Sequence, residues 1–304
     1  MLRRALLSLS EQTWLRRWME NSPLSRKVTS RFIAGRALPD GIGVLKQLSK
    51  EQMLGTLDFL GENVKSLEEA VQSKNAYLHA LDAIDAARLP ATVSIKLTQF
   101  GLDFSEQACC DNVIALVQRA NAMNSRIEVD MESSEYTDRT LQMVLQLQDR
   151  FRGNVRAVIQ AYLYRSEADI RMLSERKVPV RLCKGAYNEP PAVAFPKKAD
   201  VDANYVKLMK LLLEEGTYPA IASHDENIVT EAVHHIQKQK IPSDRFEFQM
   251  LYGIRRDLQR KLVAQNYRLR LYVPYGDAWY PYFMRRLAER PANVLFLAKN
   301  LIRS

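Results

Sequence analysis

The chain has 304 residues, of which 47% are hydrophobic and 26% charged, and its formal net charge at pH 7 is +9. This composition predicts a folded protein with a sizeable core and excludes collagen-like or extensively disordered chains, because only 11 glycines and 12 prolines are present. No run approaches the roughly 18 apolar residues that a membrane-spanning helix needs. The three cysteines argue against a disulfide framework and a four-ligand zinc site, so we predict no metal and a reducing compartment.

The positive charge is concentrated at the two ends of the chain. Residues 1–36 carry a net charge of +6 and residues 255–304 a net charge of +8, whereas residues 37–254 carry −5. A basic patch formed by both ends can attract a nucleic acid, an anionic membrane surface or an anionic ligand. Solvated surface arginines and lysines account for the same numbers equally well.

The first 27 residues mix arginine and serine with leucine, tryptophan and methionine, as transit peptides do. Glu11 and Glu20 count against a transit peptide, and Arg16 and Arg17 interrupt the apolar core that a secretory signal needs. We therefore predict an amphipathic helix that belongs to the mature protein, within a helical arm over residues 1–50.

Eight short runs of apolar and β-branched residues follow, separated by longer segments with helical periodicity. The runs are Leu54 to Leu60, Thr92 to Leu97, Ile127 to Met131, Ala157 to Tyr162, Val178 to Cys183, Ala220 to Ser223, Phe246 to Leu251 and Leu269 to Val273. Each interval fits one strand, one helix and two short loops. The pattern predicts an α/β fold, a (β/α)8 barrel over residues 51–304. A doubly wound open sheet is the alternative, although the first strand is not followed by G-x-G-x-x-G.

Polar side chains lie within or just after these runs, where a barrel places its active face. They are Asp58, Glu62, Lys96, Gln99, Asp130, Glu132, Gln160, Arg181, Lys184, His224, Asp225, Gln249, Tyr272 and Asp277. A buried charge needs a partner or a ligand, and structural pairing, for example of Asp130 with Arg181, explains any single one of them. So many from different strands favour a polar ligand site.

One face of the last predicted helix carries a second set of polar residues. Tyr282, Arg285, Arg286 and Glu289 are spaced i, i+3, i+4 and i+7. Adjacent guanidinium groups suit a carboxylate or phosphate, and Glu289 can hold one arginine in place. An exposed helix with internal salt bridges is the alternative.

Eight motifs in order give the chain a resemblance to the FAD-dependent proline dehydrogenases, specifically the monofunctional bacterial type. They are SIKLTQFGLD (94–103), VDMES (129–133), VIQAYLYR (158–165), VRLCKGAY (180–187), KADVDANY (198–205), IASHD (221–225), FEFQMLYG (246–253) and LYVPYGDAWYPYFMRRLAERP (271–291). The resemblance implies a distorted (β/α)8 barrel with the last helix over its mouth.

The family's chemistry, carried over by this resemblance, is oxidation of L-proline to Δ1-pyrroline-5-carboxylate, the first step of proline catabolism to glutamate. Hydride passes to flavin N5, and electrons pass on to a quinone. Lys96, Arg285 and Arg286 match the clamp on the substrate carboxylate. The remaining predicted substrate residues are Tyr272 and Tyr282, which wall the ring, Leu251, an apolar contact, and Glu289, which orients the arginines.

The resemblance also implies a set of FAD contacts along the middle strands. Arg181 matches an arginine beside flavin N5 and Asp130 a carboxylate close to it, and we assign both to the catalytic centre. The other predicted FAD contacts are Met131, Gln160, Lys184, Gly185, Ala186, Tyr187, Lys198, Ser223, His224 and Gln249. For His224, a strand-end histidine satisfied within the protein is the alternative.

The partners that the resemblance implies are L-proline, a membrane quinone and a separate pyrroline-5-carboxylate dehydrogenase, with no nucleic acid. We expect a cytoplasmic protein whose basic ends dock peripherally on the inner face of the cell membrane. Three alternatives remain open: a dehydrogenase of hydroxyproline or a related cyclic amino acid, a Schiff-base enzyme using Lys96 or Lys184, and a basic module that binds nucleic acid or membrane without chemistry.

Overall fold

The computed structural model describes residues 29–61 and 64–289, the side chains of residues 285–289 excepted, and in it eight strands alternate with helices. The strands are β1 (Leu54–Phe59), β2 (Ala91–Ile95), β3 (Ile127–Val129), β4 (Val155–Gln160), β5 (Pro179–Cys183), β6 (Thr217–Ala222), β7 (Glu247–Leu251) and β8 (Leu269–Tyr275). The α-helices of the described residues are α1 (Leu38–Lys50), α2 (Leu67–Ala86), α3 (Glu106–Ala122), α4 (Thr137–Arg150), α5 (Ser166–Glu175), α6 (Lys198–Glu215), α7 (Glu226–Gln239), α8 (Arg256–Ala264) and α9 (Trp279–Glu289).

The strands form a closed parallel barrel in the order β1 to β8. Pairing of β1 with β8, from Leu54 opposite Arg270 to Phe59 opposite Tyr275, closes the sheet and leaves it without an edge. Each of the eight predicted runs overlaps one strand, although β6 begins three residues before its predicted run. The predicted barrel is therefore confirmed and the open-sheet alternative is wrong.

Short polar residues begin several of the surrounding helices. The hydroxyl of Ser66 accepts a hydrogen bond from the Glu69 amide at the start of α2, and Ser105 does the same for Ala108 at the start of α3. Asp225 accepts from the Asn227 amide before α7. Such caps satisfy amides that have no partner within the helix, and they fix where these three βα loops at the barrel mouth end.

Helix α1 packs against the outside of the barrel at the β8–β1 seam. Its Leu45 and Leu48 belong to the main hydrophobic core. Leu45 approaches β1 so closely that a Cβ at Gly55 would lie 2.1 Å from its Cδ2 atom. The described part of the predicted N-terminal arm therefore packs on the barrel, while the division of the chain at residue 50 stays a prediction.

Helix α9, which follows β8, lies against the carboxyl ends of the strands. Its Trp279, Tyr282 and Phe283 form a small hydrophobic cluster, separate from the main core, with Leu60 after β1 and Ile254 after β7. The position agrees with the predicted helix over the barrel mouth. None of the helices of the described residues is long and apolar enough to cross a membrane.

Candidate active site

Asp130, which directly follows β3, is the centre of a polar cluster at the barrel mouth. Its Oδ1 atom lies 2.6 Å from Nη1 of Arg181 and accepts a hydrogen bond of 2.7 Å from the Ser94 hydroxyl. Its Oδ2 atom accepts a hydrogen bond of 2.8 Å from the hydroxyl of Tyr272 and lies 3.6 Å from Nζ of Lys96. Four predicted site residues thus meet at one place: Arg181 on β5, Tyr272 on β8, and Lys96 and Asp130, which directly follow β2 and β3.

The neighbours of Asp130 also interact with one another. The guanidinium of Arg181 lies over the ring of Tyr272, 5.5 Å from its centre. Nζ of Lys96 forms a second ion pair, of 3.4 Å, with Oδ1 of Asp58 on β1. The predicted structural pair of Asp130 and Arg181 therefore exists, within a larger constellation.

Burial and charge determine which protonation states this cluster favours. Burial raises the pKa of Tyr272 well above its ordinary value, and the carboxylates of Asp130 and Asp58 raise it further, so the phenol stays a hydrogen-bond donor. Burial alone would lower the pKa of Arg181, but the carboxylates of Glu128 and Asp130 outweigh it and raise that pKa. The arginine is therefore a permanent cation.

A column of alternating charges continues from this cluster into the barrel. Arg181 forms an ion pair with Glu128, which lies 3.1 Å from Nη1 of Arg156; the same nitrogen lies 2.6 Å from Glu247. Glu247 in turn lies 2.9 Å from Nε of Arg270. From Arg270 to Asp58, four cations alternate with four carboxylates, so the charges of the column balance.

The sequence pattern did not reveal the lower half of this column, namely Glu128, Arg156, Glu247 and Arg270. The predicted site residues lie near strand ends, whereas these four lie towards the strand beginnings. The sequence nevertheless contained a signal for three of them. Side chains on one face of a strand recur every two residues, and Glu128, Glu247 and Arg270 each lie two positions before a predicted site residue. Successive inward-facing positions of one strand therefore supply both layers.

A second charged cluster joins the ends of β5 and β6 to helix α6. Nζ of Lys184 lies 2.5 Å from Asp202 and 2.9 Å from Asp225, and Lys198 forms an ion pair with Asp202. Burial would raise the pKa values of Asp202 and Asp225, but Lys184 and Lys198 outweigh it and lower both. This cluster contains two of the predicted FAD contacts.

Gly185 allows the chain after β5 to pass a buried aromatic ring. Its φ angle is +115°, and a Cβ there would lie 2.3 Å from Cδ1 of Tyr162. Only glycine combines this conformation with this space. Glu189, farther along the same loop, accepts a hydrogen bond of 2.7 Å from the Ser134 amide and so ties the loop to the one after β3.

The other predicted FAD contacts lie along the same strands in varied surroundings. Gln160 donates a hydrogen bond of 2.9 Å to the Glu132 carbonyl, and Gln249 donates to Glu128 and Glu247 inside the barrel. Nε2 of His224 accepts a hydrogen bond of 2.8 Å from the Leu251 amide, as the structural alternative for this histidine requires. Met131 and Ser223 are buried, Tyr187 is half-buried and Ala186 is exposed. The FAD contacts remain predictions.

Some of the polar residues noted in the sequence bond to partners other than the members of the Asp130 cluster. Gln99 donates to the Phe59 carbonyl, Glu132 accepts from the amide and hydroxyl of Thr98, and Asp277 pairs with Arg36 at the surface. Leu251 packs against the α9 cluster that contains Tyr282. Arg285, Arg286 and Glu289 are residues of α9 whose side chains lie outside the described part, as does Glu62.

A closed parallel barrel with convergent charged groups at the carboxyl ends of its strands defines a (β/α)8 barrel enzyme. A model of the proline dehydrogenase family matches residues 42–299, and proline dehydrogenase 1 of Bacillus subtilis is 39% identical over 303 residues, 100% of both chains. The chain therefore belongs to the proline dehydrogenase family, and its activity is that of an oxidoreductase that dehydrogenates proline.

Other similar proteins agree with this membership. Proline dehydrogenase of Deinococcus radiodurans is 36% identical over 99% of this chain and 98% of its own. Among solved structures, proline utilization A of Bdellovibrio bacteriovorus inactivated by N-propargylglycine superposes with a TM-score of 0.81 at 29% identity. That match covers 87% of this chain and 33% of the larger one, so the chain corresponds to about a third of that protein.

Proposed function

We propose that this chain binds FAD and oxidises L-proline to Δ1-pyrroline-5-carboxylate at the Asp130 cluster. In this reaction the carbon next to nitrogen loses hydride with its electron pair, the nitrogen loses a proton, and a C=N bond forms. Bound FAD would supply the hydride acceptor, its N5 atom. The observation that carries the proposal is the convergence of Lys96, Asp130, Arg181 and Tyr272 from separate strands.

The residues present suit a flavin. Nε of Arg181 is buried and has no hydrogen-bond partner within the described part of the chain, so this cation retains a donor. Lys184 and Lys198 offer cationic groups near the carboxyl ends of β5 and β6, on the side where phosphates bind in many barrels. Arg181 and Asp130 would lie near the flavin ring, and the remaining predicted contacts, Met131, Gln160, Lys184, Gly185, Ala186, Tyr187, Lys198, Ser223, His224 and Gln249, would hold the cofactor.

Substrate binding is the next part of the proposal. Lys96, with Arg285 and Arg286 of α9, would bind the proline carboxylate, because cations around one carboxylate give orientation as well as affinity. Tyr272, Tyr282 and Leu251 would bound the ring. Glu289 would orient the two arginines, and α9 would exclude water by covering the mouth.

An anaerobic visible spectrum of the purified protein, recorded before and after L-proline, tests the proposal. We expect a flavin spectrum that bleaches with L-proline and not with D-proline. A bound flavin that stays oxidised with L-proline but bleaches with hydroxyproline would favour the related cyclic amino acid. Failure to bind added FAD, together with borohydride trapping of a carbonyl substrate on Lys96 or Lys184, would favour a Schiff-base enzyme.

The acceptor of the electrons is a further part of the proposal: a membrane quinone, reached by peripheral docking at the cytoplasmic face. Turnover with a soluble quinone analogue under nitrogen, compared with turnover in air without quinone, tests it. A rate that depends on oxygen and not on quinone would contradict it. A separate pyrroline-5-carboxylate dehydrogenase would then consume the product.

A further inference from the structure

We propose that Glu128 is a positioning residue for Arg181 and that its charge sets how strongly this arginine acts on the reaction centre. The inference rests on the proposed FAD-dependent function, and it concerns a residue towards the middle of the barrel. Glu128 is fully buried on β3, one inward-facing position below Asp130. It is not among the predicted site residues.

Glu128 connects Arg181 to the rest of the charged column. Its Oε2 atom forms the ion pair with Arg181. Its Oε1 atom lies 3.1 Å from Nη1 of Arg156 and accepts a hydrogen bond of 3.1 Å from the Thr92 hydroxyl. The two oxygens of one rigidly held carboxylate therefore face the site on one side and the lower column on the other.

The remaining contacts of Arg181 cannot replace Glu128. Asp130 is shared among Arg181, Tyr272, Ser94 and Lys96, and Ser94 contributes only a neutral hydroxyl at 3.3 Å. Glu128 therefore supplies both a fixed contact and a full counter-charge inside a low-dielectric interior, where such a charge acts strongly. Without it, the guanidinium would be less constrained and the interior more positive by one charge.

This added positive charge has a predictable direction of effect on the flavin. A cation stabilises the negative charge that a flavin gains on reduction, and Glu128 partly neutralises that cation. Glu128→Gln keeps the shape of the side chain but removes its charge, so the midpoint potential of bound FAD should become more positive. We expect at least a tenfold change in the equilibrium between reduced and oxidised flavin, which is about 30 mV for a two-electron couple.

Glu247 provides the matched control. It is equally buried and belongs to the same column, and its Oε1 atom lies 2.6 Å from Arg156 and 2.9 Å from Arg270. Within the described part of the chain, Glu247 forms its ion pairs with those two arginines and not with Arg181. Glu247→Gln should lower the thermal unfolding midpoint as Glu128→Gln does, but it should change the flavin equilibrium by less than threefold.

The experiment measures the FAD potential, the dissociation constant of FAD and the unfolding midpoint for the wild type and both variants. A large shift confined to Glu128→Gln supports the proposal. Equal FAD potentials in all three proteins, with stability lost in both variants, would show that Glu128 has a structural role only. That result would overturn this inference and leave the proposed function standing. A wild type that binds no FAD would overturn the proposed function itself, and this inference with it.

If Glu128→Gln does not fold, the FAD potential can be measured in Glu128→Asp instead. Aspartate retains the charge but withdraws it from Arg181 by one methylene. A smaller shift in the same positive direction is expected. A potential equal to that of the wild type in a folded Glu128→Asp protein would overturn the inference.

Discussion

Asp130 holds together groups that arrive from separate strands, and each of them restricts the others. Because its two oxygens are both occupied, by Ser94 and Arg181 on one side and by Tyr272 and Lys96 on the other, loss of any donor leaves a buried carboxylate less well satisfied. Such a group costs free energy whether or not it takes part in the chemistry. Variants at this position need controls that separate stability from function.

Tyr272→Phe removes the hydroxyl that donates to Asp130 at 2.8 Å. We expect the unfolding free energy to fall by about 1.5–3 kcal/mol, the usual value for a hydrogen bond to a charged group, and the KM for proline to rise. Tyr205→Phe is the control, since its hydroxyl is buried and donates to the Leu182 carbonyl at 3.0 Å, away from the cluster. Chemical denaturation and steady-state kinetics distinguish the two. A KM that rises equally in both variants would contradict the role of Tyr272.

Gly185→Ala tests the passage of the β5–α6 loop beside Tyr162. A side chain at φ +115° costs about 1–3 kcal/mol through backbone strain, and the ring of Tyr162, which is buried, adds a clash. Gly153→Ala isolates the strain, because Gly153 has φ +81° and a Cβ added there would meet nothing within 4 Å. Denaturation should show a larger loss for Gly185→Ala, accompanied by weaker FAD retention. Equal losses of unfolding free energy in the two variants would show that the Tyr162 ring moves aside for the added methyl group.

At the level of elements, the eight strands could be predicted from the sequence because each buried run is short, apolar and bounded by polar segments. The upper layer of the site could be predicted because its residues lie in the second half of the predicted runs, towards the face where a barrel places its active site. The lower layer could not be found by that rule, since Glu128 and Glu247 lie near strand beginnings and their partners Arg156 and Arg270 are distant in sequence. The separation of Asp277 from the site likewise depends on an ion pair with Arg36, 241 positions away.

Helix α9 is attached to the barrel through its own hydrophobic cluster, so it can be loosened selectively. Phe283 is 1% exposed and its ring centre lies 6.1 Å from that of Phe32. Phe283→Ala should cost about 3–5 kcal/mol in the stability of this cluster, raising KM and the hydrogen exchange of α9. Phe248→Ala, in the main core, should instead lower the unfolding midpoint of the whole barrel. If Phe283→Ala instead lowers the unfolding midpoint of the whole barrel as Phe248→Ala does, α9 is not attached separately.

The cluster around Asp202 predicts a dependence of stability on acid. The pKa values of Asp202 and Asp225 are lowered in the folded protein, so their stabilisation is present above the ordinary value of about 4 and is lost as the pH falls through the folded values. Asp202→Asn should therefore flatten the decline of the unfolding free energy between about pH 5 and pH 3. Asp200→Asn, an exposed change in the same helix, is the control. An unchanged slope in Asp202→Asn would contradict the assignment.

At the scale of the whole molecule, a count of charges along the chain differs from the charge that the surface presents. Arg270 contributes to the basic C-terminal segment, yet it is buried beside Glu247. Glu128 and Glu247 contribute to the acidic middle, yet they are also buried. The interior column is neutral, so leaving it out keeps the net charge of the chain at +9 but changes how that charge is divided among the segments.

The basic N-terminal segment carries the prediction of membrane docking. Arg3, Arg4, Arg16 and Arg17 lie outside the described residues. Each basic residue near an anionic bilayer contributes about 1 kcal/mol, so reversing these four charges should abolish sedimentation with anionic vesicles at low salt. High salt should weaken binding of the wild type, because the Debye length shortens to about 3 Å at 1 M.

Charge reversal at Lys46, Lys50, Lys238 and Arg245, which are exposed residues of the acidic middle segment, is the matched control. It changes the net charge by the same amount, so loss of binding in both variants would indicate that only the total charge matters. Undiminished binding after reversal of the four N-terminal arginines would contradict docking through this segment. Loss confined to the N-terminal variant would identify the segment as the one that brings the barrel to the lipid surface, where the proposed quinone acceptor would be dissolved.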